Sequence, residues 1–436
     1  MKHRTLRSAA AVAGAVTSLA LLAAGCGSSG SDGSGGADSG GVTEITYWSW
    51  LTGAQELTDA FNKSQSKIKV RFEKIPSGTN GGYDKVVNAV KAGNAPDVVN
   101  LEYNALPEFA SQGLIQDIGD KAGSTVTSNF PAQIQNLVTL GGKTWALPRD
   151  AAPQVFYYRK DLFAKHNLKA PKTWDDFKAA AEKVKKADKA SRIAAFWADE
   201  PGLLAALAWQ AGAKWYATEG DAWKVSYTDP ASKKVAGYWN DLVKQDLVWN
   251  QVSYSPEWTK GMVDGKTLAV IGASWSGGAL KATVPAQSGK WAAAPMPTWD
   301  GTPASGMLGG SAYALPKGGK KAEAALRFTT FATTTADSFK AQLSSGASSA
   351  LPAKQDLVAA AKQFFDTEFY GGQDIYTLSS AQIATIKPGW VWGPLQISAN
   401  GTLKDAMGTQ DYPAALDTTQ QKAVEAIKGR GLKLAG

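Results

Sequence analysis

The chain has 436 residues, of which 44% are hydrophobic, and this length and composition predict two or three domains with substantial apolar cores. Its formal charge of +8 includes three basic residues near the N-terminus, and the remaining charge is spread along the chain. Because a nucleic-acid-binding protein concentrates its basic residues on one face, this distribution excludes that class of protein.

Histidine and cysteine are too scarce for most metal and catalytic sites. The chain has one cysteine, Cys26, and two histidines, His3 and His166. Zinc and iron sites built from clusters of these residues are therefore excluded. A Ser-His-Asp triad would depend on His166, which lies in a polar stretch and is interpreted as a surface residue. The sequence predicts no metal ion and no cofactor.

The first 25 residues have the pattern of an export signal. A basic head, residues 1–7, precedes an apolar stretch, residues 8–25, that is shorter than the roughly 20 residues of a membrane-spanning helix. After Cys26, residues 27–41 contain seven glycines and five serines. Such a segment cannot bury enough surface to fold, so it is predicted to be a flexible tether that spans roughly 20 Å on average.

Strands and helices alternate through the first part of the remaining chain. Strands are predicted at 44–50, 67–75 and 96–101 from their apolar alternation, and helices at 54–65 and 83–93 from their helical spacing. This order is typical of a doubly wound α/β domain with a mainly parallel sheet.

The same pattern begins again after Pro148. Residues 292–310 are rich in proline and glycine and are predicted to be a connection that returns to the first half. The other predicted elements are a strand at 154–159, a helix capped by Thr173, a buried strand at 266–272, a helix at 320–333, and a helical region from Lys354 that is interrupted at 387–394.

Tryptophan is unusually frequent, with 16 residues, all after residue 47. Trp174, Trp209, Trp215 and Trp239 lie in helix-like stretches and are interpreted as core residues. Core packing alone does not require so many indoles, so the excess predicts flat rings that stack on a flat, partly apolar ligand.

Several segments resemble the sugar-type solute-binding proteins of bacteria, the maltose-like receptors of ATP-binding-cassette (ABC) importers. Leu268 and Ala269 depart from the Ala-Met that is usual in this family, and Ala23 stands where the bacterial lipobox usually has Leu. The segments that carry the resemblance are the lipobox-like LLAAGC (21–26), APDVVNLEYNALPEFASQGLI (95–115), LPRDAAPQVFYYRKDLF (147–163), APKTWDDF (170–177), GKTLAVIGASWSGG (265–278), MPTWDGTPASGMLGGSAYALPK (296–317) and GASSALPAK (346–354).

The resemblance implies an α/β fold of the two-lobe, type II periplasmic-binding-protein kind, with ligand in the cleft and closure by hinge motion. The three crossings between the lobes are expected near Arg149–Asp150, Met307–Gly309 and Gly346–Ala353. The implied divisions are a lipoprotein signal peptide at 1–25, a lipidated Cys26 with its tether at 26–41, an N-lobe at 42–148 and 308–349, and a C-lobe at 149–307 and 350–436.

Aromatic rings suit the apolar faces of a sugar, whereas carboxylates, amides and backbone N–H groups suit its hydroxyls. The candidate residues follow predicted strands, lie beside a predicted crossing or match aromatic positions of the family. The predicted ligand-binding residues are Trp48, Trp50, Glu102, Tyr103, Asn104, Asp150, Trp197, Trp275, Gly277, Gly309, Gly310, Trp390 and Trp392.

The resemblance implies a monomeric, non-enzymatic receptor, anchored to the outer face of the cell membrane by lipid on Cys26, that delivers a mono- or oligosaccharide to the permease subunits of an ABC importer. Two alternatives stay open at this stage. One is a secreted carbohydrate-active hydrolase with a carboxylate pair such as Glu102 and Asp150. The other is a binding protein for a solute that is not a sugar, such as a peptide or a polyamine.

Overall fold

The computed structural model describes residues 41–435, and the residues from Val42 onward form one compact unit. The predicted signal peptide, Cys26 and the tether up to residue 40 lie outside the described residues. The strands are β1 (Thr43–Ser49), β2 (Ile68–Lys74), β3 (Val98–Glu102), β4 (Thr139–Leu140), β5 (Lys143–Thr144), β6 (Leu147–Pro148), β7 (Asp150–Ala151), β8 (Gln154–Arg159), β9 (Ala195–Trp197), β10 (Tyr216–Glu219), β11 (Ala222–Val225), β12 (Trp249–Gln251), β13 (Ala269–Ala273), β14 (Trp291–Ala294), β15 (Ser311–Ala314) and β16 (Leu351–Pro352).

Helices connect and flank these strands. They are α1 (Ala54–Ser64), α2 (Gly82–Lys91), α3 (Leu106–Ser111), α4 (Gly119–Asn129), α5 (Ala132–Val138), α6 (Lys160–Lys165), α7 (Trp174–Ala187), α8 (Pro201–Gln210), α9 (Pro230–Lys244), α10 (Pro256–Val263), α11 (Ser276–Thr283), α12 (Ala322–Thr334), α13 (Ala336–Leu343), α14 (Val358–Lys362), α15 (Ile375–Ile383), α16 (Gln396–Met407) and α17 (Tyr412–Gly429).

A five-stranded sheet forms the centre of the first lobe, in the order β2-β1-β3-β15-β6. β1 is parallel to β2 and β3, whereas β15 is antiparallel to β3. Apolar residues alternate along β1, so Ile45 and Tyr47 are fully buried, and the Tyr47 ring lies 5.2 Å from that of Phe328 on α12. We call this sheet with the helices packed on it the N-lobe.

The second lobe is built on the sheet β13-β8-β14 and the parallel pair β9-β12. An isolated parallel bridge between Arg192 and Thr267 shows that β9 and β13 run in the same direction. β8 is antiparallel to both of its neighbours, because it enters directly from the N-lobe and not through a crossover helix. We call these strands with their helices the C-lobe.

The chain passes three times between the two lobes, and the three crossings are hydrogen-bonded to one another. The first crossing is joined to the third, because β7 pairs with β16. It is also joined to the second crossing, because the Leu308 N–H donates to the Ala152 carbonyl at 3.0 Å and Met307 forms a bridge with Pro153. The region between the lobes is therefore a continuous hydrogen-bonded layer.

The predicted elements agree with these bounds to within a few residues. The strands predicted at 44–50, 67–75 and 96–101 are β1, β2 and β3. Thr173 caps α7 as predicted, because its hydroxyl accepts from the Asp176 N–H while the Asp176 carboxylate accepts from the Thr173 N–H. The predicted interruption at 387–394 falls between α15 and α16. β9 and β12, of three residues each, were not predicted.

Candidate functional site

Three N-lobe side chains meet where β1 and β3 end. Trp50 follows β1, and Glu102 is the last residue of β3. The Tyr83 hydroxyl donates to Glu102 Oε2 at 2.7 Å, and the Trp50 and Tyr83 rings lie 5.8 Å apart, edge to face. Burial raises the pKa of Glu102, and the charge of Asp150 adds to this, whereas the Tyr83 hydrogen bond opposes it.

Trp48 lies on a different surface from Trp50. Its side chain alternates with the buried Tyr47 and is only half-buried. The Lys85 Nζ on α2 lies 4.6 Å from the centre of its ring, a cation–π contact. The structure therefore places Trp50 at the strand ends and Trp48 on the flank of the N-lobe, beneath α2.

Three C-lobe side chains follow the ends of β9, β12 and β13. These are Glu200, Tyr254 and Trp275. Because the carboxyl ends of parallel strands meet at one edge of a sheet, the three side chains converge. Glu200 Oε1 accepts from the Gly202 N–H at 3.0 Å, which holds this carboxylate at the start of α8.

Glu102 of the N-lobe and Glu200 of the C-lobe lie close enough for the charge of Glu102 to affect the pKa of Glu200. Burial raises the pKa of Glu200 to about 7, and the second cause is the charge of Glu102. No Lys or Arg of the described chain forms an ion pair with either carboxylate. The charge of Lys404 only partly offsets the rise in the pKa of Glu200, so both carboxylates are buried hydrogen-bond acceptors without an ion-pair partner in the described chain.

Tyr254 is the most exposed aromatic side chain of this region. Its ring is 42% exposed although it packs against Trp258 at 4.9 Å and Trp197 at 5.7 Å. Its φ of 54° lies in the left-handed region, which a bulky residue rarely occupies. Its hydroxyl lies deeper than its ring, and burial of the hydroxyl, followed by the charge of Glu200, raises the pKa of Tyr254. Strain of this kind is common at binding sites.

Trp275 connects the C-lobe to the second crossing. It is half-buried at the N-terminal end of α11, and its Nε1 donates to the Leu308 carbonyl at 2.8 Å. Gly309 lies so close that an added Cβ would stand 3.4 Å from that nitrogen. The indole face is therefore held in a fixed orientation beside the crossing.

Asp150 and Tyr103 brace the crossings. Asp150 is 5% exposed, and its Oδ1 accepts from the Ser311 N–H at 2.9 Å and the Ser311 hydroxyl at 2.7 Å. Arg149 lies 3.4 Å from the same oxygen. The Tyr103 hydroxyl donates to the Asp150 carbonyl at 2.9 Å, and Tyr103 is 1% exposed. Internal partners already occupy both polar groups in this structure, and ligand contacts at these two positions stay predictions.

Other predicted contacts also pack internally. Gly277 is buried, and an added Cβ would lie 2.8 Å from Ile375, so this glycine lets α11 approach its neighbours. Gly310 has a φ of 89°, and its missing side chain leaves room for the Tyr103 ring. Asn104 is half-buried, with no side-chain hydrogen bond inside the described chain.

Three predicted tryptophans are part of aromatic clusters. Trp197 is 2% exposed and supports Tyr254. Trp390 stacks on Trp209 at 5.1 Å with an interplanar angle of 6°, and Trp392 contacts both rings. Trp390 and Trp392 are 6% and 7% exposed, so both rings are buried, although Pro388 and Gly389 of the same segment are exposed. Their contact with a ligand stays a prediction.

Sequence reasoning missed Tyr83, Glu200 and Tyr254. The short strands β9 and β12 gave no alternation from which to place the ends that carry Glu200 and Tyr254. Tyr83 was interpreted only as part of a helix stripe. Across the described residues, no cluster of three or more His, Cys, Asp or Glu side chains is arranged to hold a metal ion.

Comparison with known proteins identifies the family. Residues 47–338 match the family model described as bacterial extracellular solute-binding protein. The chain belongs to this family. It has the two-lobe, type II architecture of periplasmic binding proteins.

Two curated relatives match most of the chain. One is a maltooligosaccharide ABC transporter solute-binding lipoprotein of Streptococcus pneumoniae, 27% identical over 353 residues, which cover 76% of this chain and 77% of the relative. Another is a diacetylchitobiose binding protein of Streptomyces coelicolor, 27% identical over 342 residues, which cover 74% and 77%. Both are named as binding proteins, and the first is named as part of an ABC transporter.

Two solved structures of binding proteins superpose on nearly all of the described residues of this chain. The binding protein of Bifidobacterium animalis subsp. lactis in complex with β-1,6-galactobiose has a TM-score of 0.80 at 28% identity, covering 91% of this chain and 100% of that one. The lacto-N-biose complex of the binding protein of Bifidobacterium longum has a TM-score of 0.80 at 25% identity, with the same coverage.

Proposed function

We propose that this solute-binding protein captures an oligosaccharide in the cleft between its lobes and delivers it to an ABC importer. One observation carries the proposal. Exposed or half-buried aromatic rings and unpaired carboxylates from both lobes converge at the strand ends that border the cleft. The relatives named as binding maltooligosaccharide and diacetylchitobiose, and the galactobiose and lacto-N-biose complexes, support a sugar as the solute.

Each group has a chemical role toward a sugar. The rings of Trp50, Tyr254 and Trp275 offer flat surfaces for the C–H faces of pyranose rings. The carboxylates of Glu102 and Glu200 accept hydrogen bonds from hydroxyls, and charge-assisted bonds of this type are about twice as strong as neutral ones. A sugar between the lobes would satisfy both carboxylates at once and so favour closure.

The proposed receptor does not cleave its ligand. In the hydrolase alternative, Glu102 would act with Asp150, but Asp150 is bound by Ser311 and Arg149 inside the crossing layer. Glu102 and Glu200 lie on different lobes, beside the cleft that the ligand itself must enter. Family membership supports capture without reaction.

The location and partners follow from the family and the N-terminal sequence. We propose that lipid on Cys26 anchors the monomer to the outer face of the cell membrane, and that the permease subunits receive the sugar there. The relative from S. pneumoniae is also named a lipoprotein. Within residues 41–435, no helix combines the length and apolarity needed to cross a bilayer. We further propose lobe borders at 148/149, 307/308 and 349/350, with motion about the three crossings.

Tryptophan fluorescence tests the proposal. A protein comprising residues 42–436 is titrated with β-1,6-galactobiose, lacto-N-biose, maltooligosaccharides and diacetylchitobiose. At least one sugar is expected to change the emission and to remain intact by mass spectrometry. Trp50→Ala and Trp275→Ala should each weaken binding by about tenfold or more, since each variant loses the buried area of the ring and a further contribution of about 0.5–1.5 kcal/mol from the aromatic contact.

Trp145→Ala is the matched control for these variants. Trp145 is half-buried, and its Nε1 donates to the Leu140 carbonyl at 3.1 Å, on the β4-β5 hairpin of the N-lobe and away from the strand ends. Its replacement should leave the affinity unchanged. Cleaved sugar, or equal losses of affinity in all three variants, would contradict the proposal.

A further inference from the structure

A second cavity lies in the C-lobe, at the opposite end of β8 from the cleft. Its volume is about 440 Å³, and its wall includes Arg159, Lys165, His166, Lys266 and Lys290. Gln154 begins β8 beside the crossings and Arg159 ends it. At about 3.3 Å per residue, the strand separates the two sites by roughly 17 Å. The cavity therefore belongs to a different site from the cleft.

The cavity wall has more positive than negative charge after its ion pairs are counted. Lys266 Nζ pairs with Asp188 Oδ2 at 2.9 Å, and the other acid of the wall, Asp264, pairs with Lys260. Lys165 and Lys290 have no ion-pair partner among the described residues. Two cationic groups therefore remain without counter-charges at this surface.

Arg159 provides the most specific feature of the cavity. It is 6% exposed, and its Nε and Nη2 donate to the two oxygens of Asp161 at 2.8 and 2.6 Å. Its Nη1 has no hydrogen-bond partner in the described chain. A Cβ at Gly265, which also lines the cavity, would stand 3.8 Å from that nitrogen. One edge of a buried guanidinium, fixed by Asp161, is thus left open toward the cavity.

We propose that this cavity binds an oxyanion, a phosphate ester or its carboxylate analogue, with the open edge of Arg159 as its anchor. Guanidinium N–H groups match the spacing of phosphate oxygens, and an arginine already oriented by a carboxylate loses little entropy when it binds. Lys165 and Lys290 would add charge at the rim, and His166 offers a further donor or acceptor. The volume exceeds that of a lone phosphate, so the cavity has room for the organic part of an ester.

The phosphate group could come from a free solute or from an anionic lipid headgroup, and the test separates the two sources. The protein comprising residues 42–436 is titrated calorimetrically with inorganic phosphate and with glycerol 1-phosphate. In a second arm, it is sedimented with vesicles that contain phosphatidylglycerol or phosphatidylcholine alone. The variants are Arg159→Lys and the double variant Lys165→Gln/Lys290→Gln. Lys165 and Lys290 are exposed, so we expect the double variant to fold normally.

Lys63→Gln/Lys91→Gln is the matched control, because it removes two exposed, unpaired lysines of the described N-lobe. Phosphate ester binding should weaken about fivefold or more in both cavity variants and stay unchanged in the control. Loss of phosphatidylglycerol vesicle binding in the same variants would identify the headgroup as the source. If the unsubstituted protein binds the phosphate ester but does not bind phosphatidylglycerol vesicles, the source of the phosphate group is a free solute.

Two results would overturn this inference. One is no binding of phosphate, ester or anionic vesicles by the unsubstituted protein. The other is an equal loss in the cavity variants and in the control, which would mean non-specific attraction to lysines. The sugar affinity of Lys165→Gln/Lys290→Gln should match that of the unsubstituted protein, so failure at this cavity is distinguishable from failure of the proposed function.

Discussion

At the scale of single residues, the side chains expected to contact the ligand are those whose local environment is unfavourable without it. Burial and the charge of Glu102 raise the pKa of Glu200, and Tyr254 holds a left-handed backbone conformation with an exposed ring. Each arrangement lowers the stability of the ligand-free protein, and contacts with a bound sugar can compensate for that loss. Trp390 and Trp392 show the opposite condition, because other indoles already cover their faces.

Tyr254 provides a test that separates binding from folding. Tyr254→Asn should weaken sugar binding by about tenfold, since the exposed ring is lost. The free energy of unfolding should fall by less than about 1 kcal/mol, because asparagine tolerates a φ of 54° and strain relief offsets part of the lost ring contact. Calorimetric titration and denaturant unfolding measure the two quantities.

Val252→Ala is the control for this variant, since Val252 lies in the same loop and is 56% exposed. It should change neither quantity. An unchanged affinity in Tyr254→Asn, together with a large loss of stability, would mean that the ring serves the fold and not the ligand.

Glu200 predicts a specific pH dependence of stability. Its pKa in the folded protein is about 7, whereas the ordinary value is 4.5. Between these values the folded state holds a proton that the unfolded state has released, so the free energy of unfolding falls as the pH rises and levels off above pH 7. Glu200→Gln should remove this part of the decrease and raise the Tm at pH 8 relative to the unsubstituted protein.

Melting curves from pH 4.5 to 8 check this expectation. Glu257→Gln is the control, because Glu257 is an exposed carboxylate on α10. If Glu200→Gln and Glu257→Gln follow the same curve as the unsubstituted protein, the buried, repelled state of Glu200 is contradicted.

Only part of the candidate site could be predicted from the type of a residue and its position after a predicted strand. Trp50, Glu102 and Trp275 follow strands that the sequence pattern identifies, so their place at the strand ends could be anticipated. Asp150 has the same signature, but Ser311, which lies 161 positions away, uses its carboxylate. Partners from so distant a part of the chain leave no trace in the local pattern.

At the scale of elements, the second crossing depends on a glycine that a larger residue cannot replace without a clash. Gly310→Ala should destabilise the protein by several kcal/mol, because the new Cβ would stand 2.9 Å from the Tyr103 ring and the φ is 89°. Gly318→Ala is the control, since Gly318 has a φ of 92° with no atom within 4 Å of a new Cβ.

Urea unfolding gives the free energy of unfolding of both variants. The difference between them isolates the cost of the clash with Tyr103, because the backbone strain is similar at the two positions. Gly318→Ala should cost only the backbone strain, about 1–2 kcal/mol. Equal losses in the two variants would show that the Tyr103 contact contributes nothing to the crossing.

Element types were more predictable than the way elements join. The apolar alternation of β1 and β2 and the capping box of α7 are local signals, and the structure confirms them. The antiparallel direction of β8 and the pairing of β7 with β16 depend on contacts between distant crossings. Only the family resemblance anticipated the crossings themselves.

At the scale of the whole molecule, α3 of the N-lobe contacts the segment that begins α16 of the C-lobe. Glu108 Oε2 accepts from the Ile397 N–H at 2.7 Å, and the Ser111 hydroxyl donates to the Pro394 carbonyl at 3.1 Å. These bonds join the lobes away from the crossing layer.

Glu108→Ala should therefore shift the ligand-free protein toward an open form. A hydrogen bond to a charged group contributes about 1.5–3 kcal/mol, enough to change the population of the closed form by tenfold or more. Small-angle X-ray scattering should give a larger radius of gyration for this variant, whereas Glu56→Ala, at an exposed carboxylate on α1, should not change it. Equal radii for both variants would contradict a role for this contact in closure.

A crystal structure of residues 42–436 with the tightest-binding sugar tests the proposed binding site directly. We expect pyranose rings against the faces of Trp50, Tyr254 and Trp275, with hydroxyls donating to Glu102 and Glu200 and every glycosidic bond intact. A sugar bound elsewhere, or these three rings free of any contact with it, would contradict the proposed site.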